Sequence, residues 1–175
     1  GVDYLGDVAA FEEDFKGHAI IAQAMGPYKL SLHTGSDKFS IYAIASGCTK
    51  GLLHLKTAGT SYLEALRATA SFDPELFREI LALAIERYET DRASYHVSGD
   101  LAKVPRPEML SDSELPALLE QFDARQVLHV TFGSVLNSDR GYKSRLMAGL
   151  VAHEEIHYRV LERHFIRHLA PMLQS

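Results

Sequence analysis

Apolar and polar positions follow two periods along this chain. In residues 29–33, KLSLH, Leu30 and Leu32 fall on one side and Lys29, Ser31 and His33 on the other. That period of two marks a half-buried strand. Residues 52–56, LLHLK, repeat it, with Leu53 and Leu55 opposed to His54 and Lys56. Residues 94–100, SYHVSGD, place His96 and Ser98 on one face. In residues 126–135, QVLHVTFGSV, Val127, His129 and Thr131 alternate with Leu128, Val130 and Phe132. These four stretches are expected to be strands.

Between them the spacing is helical. Residues 8–25 set Val8, Phe11, Phe15, Ile20, Ile21 and Met25 near one stripe, with Asp7 as cap and Gly26-Pro27 as terminator. A helix over about 37–45 follows the first strand, with Ser36 as cap and Asp37 in the first turn. Thr60 caps a helix over SYLEALRATA, and Asp73-Pro74-Glu75 opens another that runs to about Ala93. Residues 101–110 are irregular. Ser111 and Glu114 form a capping-box pair that opens a helix through LPALLEQF, and one long helix or two cover 142–172.

Strands alternating with helices predict an α/β fold with a parallel sheet. A buried parallel strand is usually apolar throughout. Here each carries a polar face with a histidine, namely His33, His54, His96 and His129, which suits a barrel lumen opening into an active site. Four such units make half of an eight-fold barrel. The expectation is a partial TIM-like (β/α) barrel with a long C-terminal helix. Residues 1–175 would be a single domain, the C-terminal part of a larger barrel enzyme.

Composition narrows the function. The formal net charge of −5 is spread along the chain, without the basic stripe of a nucleic-acid surface. No apolar run reaches transmembrane length, so no membrane partner is expected. The single cysteine, Cys48, permits no internal disulfide and fits a reducing, cytoplasmic compartment. The chain opens on Gly1 rather than Met, which suggests a piece of a longer protein.

The segments LSLHTGSDKFSIY, LHLKTAGTSYLEALR, ASYHVSGD and LHVTFGSVL, in this order and spacing, resemble the tagaturonate epimerase family over nearly the whole chain. The second segment is long and unusual in composition. The resemblance implies a metal-dependent sugar-acid epimerase of TIM-barrel type that interconverts tagaturonate and fructuronate in hexuronate catabolism. It implies a divalent metal cation as cofactor, His33 as one metal ligand, and further ligands upstream of this chain. The carboxylates that accept and donate the proton are likewise expected upstream.

Either route to epimerisation, retro-aldol cleavage and re-addition or proton removal, develops negative charge on oxygen, which a bound cation stabilises. Both need a proton shuttle, and the substrate carboxylate needs a fixed cation or backbone amides. Asp37, Lys38, Lys56 and His96 are the substrate-binding candidates. Plainer alternatives are helix-start charge for Asp37, an ion pair with Asp37 or Asp100 for Lys56, a strand-end polar network for His96, and a lumen hydrogen bond for the metal-ligand candidate His33.

His153-Glu154-Glu155-Ile156-His157 matches the H-E-x-x-H signature of zinc metallopeptidases. The match is short, and a charged, solvated helix face is the alternative. A non-catalytic structural piece that needs an upstream half is a third reading. The expected partners are a sugar-acid substrate and either a second copy of the chain or the upstream region, because uncovered sheet edges invite pairing.

Overall fold

The computed structural model describes residues 3–26, 28–33, 37–56, 61–95 and 97–173, with His33 described in its backbone only. Among these residues the fold is mostly helical, with one two-stranded parallel sheet, so the α/β class holds. By its contacts the chain divides into two units: Ser61–Glu162, and Val2–Thr60 together with Arg163–Ser175.

In the second of these, α1 spans Val8–Ala24, and the Asp7 carboxylate caps it by accepting from the amides of Ala9 and Ala10. Its buried stripe is Phe15, Ala19 and Ala22, spaced one helical turn apart. Ile20, Ile21 and Met25, expected in that stripe, are exposed. Small alanines let α1 lie close to α2, Phe39–Thr49, which buries Ile41, Tyr42, Ala45, Ser46 and Thr49. Left-handed Lys50 and Gly51, with φ of 51° and 78°, turn the chain out of α2. The expected cap of this helix, Ser36, lies outside the described residues.

Strands β1, Leu30–His33, and β2, Leu53–Lys56, flank α2 in sequence and pair in parallel. Leu30 faces Leu53, Ser31 faces His54, Leu32 faces Leu55 and His33 faces Lys56. The Ser31 hydroxyl and His54 Nδ1 share a cross-strand hydrogen bond of 2.9 Å on the exposed face. The leucines are half-buried behind them.

The Ser61–Glu162 unit is helical. α3, Ser61–Phe72, is buried continuously from Leu63 to Ala70. α4, Pro74–Asp91, begins where expected, with Asp73 accepting from the Leu76 amide. Arg67 of α3 holds the 3-10 segment Leu115–Glu120 in place by donating to the Pro116 and Leu119 carbonyls at 3.2 and 3.1 Å. The helix expected after Ser111 is therefore a 3-10 segment, although Glu114 does accept from the Ser111 amide. α7, Tyr142–Ala152, and α8, Glu154–Leu173, are two helices broken at His153.

Two expected strands do not form. Residues 126–135 belong to α5, Phe122–Val130, and α6, Phe132–Leu136. Gln121 caps α5 by accepting from the Ala124 amide at 2.7 Å. Ala124, Val127, Leu128, Thr131 and Val135 are all fully buried, a helical spacing that the alternation of Val127, His129 and Thr131 conceals. Residues 97–100 form no strand, since among the described residues no neighbouring strand completes a ladder. Their polar backbone is satisfied by side chains instead: Tyr88 donates to the Gly99 carbonyl at 2.9 Å, and the Asp100 amide donates to Asp123 at 2.8 Å. The sheet of the described residues thus has two strands rather than four.

Candidate functional site

β1 and β2 end side by side, and the register sets His33 of one beside Lys56 of the other. These two sequence-predicted residues therefore share one sheet edge. The Lys56 side chain is exposed and pairs with no described carboxylate, so the plainer alternative, an ion pair with Asp37 or Asp100, is not formed among the described residues. His96 lies outside the described residues. His129, read as a strand residue, sits half-buried on α5.

Asp37 and Lys38 lead into α2. Lys38 is half-buried, and its ammonium donates to the Asp3 carbonyl at 2.7 Å. Desolvation holds its pKa below the ordinary lysine value, although Asp3 and Asp37 favour the charged form. Asp37 is 1% exposed. Its carboxylate is turned onto two histidines of α8: Oδ1 lies 3.1 Å from His168 Nε2 and 3.6 Å from His164 Nε2. The two imidazole Nε2 atoms are 3.1 Å apart.

α8 is an unusual host for these groups. Its outward positions carry Phe165, Ile166 and Leu169, all about half exposed, while His164 and His168 are its buried residues. A spacing of four puts both on one helical face. Aromatic rings close over them: Phe39 lies 4.8 Å from the His168 ring and 6.2 Å from that of His164, and Tyr42 lies 5.4 Å from His168. The Arg167 guanidinium covers the Phe39 ring at 4.1 Å. His168 Nδ1 is buried without a hydrogen-bond partner. Carboxylate and imidazole together are the donor set of a borderline divalent cation such as zinc. Among the described residues these three alone form such a cluster.

The sequence signal for this cluster was the pair of histidines four apart in HFIRH. The longer H-E-x-x-H match shares that spacing, but its residues are arranged differently. His153 occupies the break between α7 and α8 and stacks on Phe72 at 4.6 Å, while His157 starts the next turn. No described third ligand joins them.

The model of the tagaturonate epimerase family matches residues 1–172. The tagaturonate/fructuronate epimerase of Thermotoga maritima is 50% identical over 169 residues, covering 97% of this chain and 35% of the relative. The native crystal structure of fructuronate-tagaturonate epimerase from Cohnella laeviribosi superposes with a TM-score of 0.91 at 39% identity, covering 97% of this chain and 36% of that one. Its complex with one glycerol gives a TM-score of 0.92 at 39% identity over 98% and 36% of the two chains. The chain thus spans about a third of the length of the relatives it matches.

Proposed function

The chain belongs to the tagaturonate epimerase family, and from that premise we propose that it is part of a cytoplasmic enzyme that interconverts tagaturonate and fructuronate. The observation that carries the reading is 50% identity to a tagaturonate/fructuronate epimerase over 97% of the chain. In this reading β1 and β2 are neighbouring staves of a (β/α) barrel that the rest of the protein completes.

The edge where His33 and Lys56 stand side by side is the proposed substrate end of the two strands. The exposed Lys56 ammonium binds the substrate carboxylate or an oxygen that becomes anionic during the reaction. Lys38 is tethered to the Asp3 carbonyl and half-buried. It contributes a weakly solvated positive field at the same end of the chain segment rather than a mobile contact. His96, outside the described residues, is a further proposed substrate contact.

A divalent cation is part of the proposal, with His33 as one ligand and residues outside this chain supplying the others. Bound there, the cation would stabilise the enolate or alkoxide oxygen formed at the epimerised carbon. The Asp37, His164 and His168 cluster fits a cation in donor chemistry but does not fit this catalytic one. All three residues are at most 4% exposed, and a catalytic metal keeps a position open for substrate.

The test supplies tagaturonate to the full-length protein and follows fructuronate by chromatography. Conversion that disappears in His33→Ala and loses substrate affinity in Lys56→Met supports the assignment. Absence of conversion in a folded, metal-replete protein overturns it.

A further inference from the structure

We propose that Asp37, His164 and His168 form a second, closed divalent-cation site of the zinc class, distinct from the catalytic cation, that fixes the last turns of α8 onto the start of α2. The inference rests on this geometry rather than on the epimerase reading. The three donor atoms sit at the corners of a triangle with edges of 3.1, 3.1 and 3.6 Å. A tetrahedral ion with bonds of about 2.0–2.1 Å to nitrogen and oxygen requires donors about 3.3–3.4 Å apart. The observed edges bracket that value.

Hydrogen bonding alone accounts less well for the arrangement. A proton on one imidazole nitrogen serves one edge of the triangle well. If His168 Nε2–H donates to Asp37, that nitrogen offers no lone pair to His164, and the 3.1 Å contact between the two Nε2 atoms is served only by sharing the same proton. A cation at the centre would bond all three corners at once, including a carboxylate that is 1% exposed. The surroundings suit a structural centre. Phe39 and Tyr42 pack on the imidazoles, and no described face of the cluster opens to solvent.

Other contacts anchor this end of α8 as well, among them the Arg167 guanidinium laid over the Phe39 ring at 4.1 Å. Phe165, Ile166, Leu169 and Leu173 are exposed, and the buried residues of α8 are the two ligands. A bound cation would add ligand bonds to these contacts, as in small metal-stapled units.

The test counts cations in the full-length protein. In a His33→Ala background, metal analysis after cobalt loading is expected to give one tightly held equivalent, with the visible d–d bands of tetrahedral cobalt. His164→Gln and His168→Gln, each added to that background, are expected to abolish those bands. They should weaken cobalt binding by more than the roughly 10–100-fold that loss of an outer-shell partner costs. His153→Gln, in the H-E-x-x-H match, is expected to leave binding unchanged. Far-UV circular dichroism of each variant checks folding, and Asp37→Asn, which keeps the side-chain shape, provides a second route to the same loss.

If the His33→Ala protein retains no cation, or if its cation survives His164→Gln and Asp37→Asn, the proposal is overturned. Epimerase activity does not enter this result, so failure of the site and failure of the epimerase reading remain distinguishable.

Discussion

Arg67 offers the sharpest test of how the helical unit is held together. Its side chain is 6% exposed, and its Nε lies 2.9 Å from the carboxylate of Glu64, itself 4% exposed. The same guanidinium meets Glu120 at 2.9 Å and donates to the carbonyls of Pro116 and Leu119. Arg67→Met keeps most of the stem and removes the charge. Glu64 would then be a buried anion without its guanidinium, a loss that costs about 3–5 kcal/mol. The Leu119 carbonyl keeps the Arg125 donor at 2.9 Å, whereas Pro116 loses its bond, adding about 1 kcal/mol.

Urea unfolding of Arg67→Met is therefore expected to show a loss of about 4–6 kcal/mol. The Glu64→Gln/Arg67→Met double variant should recover part of it, because the buried charge is gone. The half-exposed Arg145–Glu79 pair is the control, worth under about 1 kcal/mol. A loss for Arg67→Met no larger than that of the control would refute the reasoning.

Three further predictions follow from buried groups. Gly99→Ala should lower stability by about 1–3 kcal/mol, since its Cβ would stand 2.7 Å from Gln126 Cβ and 2.8 Å from the Tyr88 hydroxyl; an unchanged melting temperature would contradict this close packing. The Tyr62 hydroxyl is buried without a partner, and burial pushes its pKa above the ordinary 10.0. Tyr62→Phe should therefore raise the melting temperature. A raised folded-state pKa gives stability that is complete below pH 10 and lost above it, so the advantage of the variant should widen in alkali. Lys38, depressed by desolvation, should titrate below the exposed lysines in a 13C NMR titration, with the resonance assigned by Lys38→Arg; titration alongside them would contradict its burial.

The sequence was most readable where a local rule had a single outcome. Asp7 and Asp73 cap the helices they were expected to cap, since a carboxylate before an apolar-periodic run has few other uses. β1 and β2 were legible because one face of each is wet, which leaves the period of two visible. The same rule failed at residues 126–135, where Val127, Leu128, Val130 and Thr131 are all buried. A segment covered on nearly all sides has no alternation to read, and helix or strand is then decided by the neighbours.

The metal-type cluster was hidden for a different reason. Asp37 and His164 are brought together from distant parts of the chain, and no spacing rule connects them. Only the His164–His168 pair had a local signature, and the longer match at His153 has the same spacing without a third ligand. Asp37, read as a substrate contact or as helix-start charge, is buried against both histidines.

The most direct test of the central claim measures turnover and metal content on the same sample of full-length protein. Tagaturonate is expected to be converted to fructuronate, chelation to remove the activity, and His33→Ala to abolish turnover with loss of one cation while the protein stays folded. Conversion that persists undiminished in His33→Ala, or in protein stripped of metal, would contradict that claim.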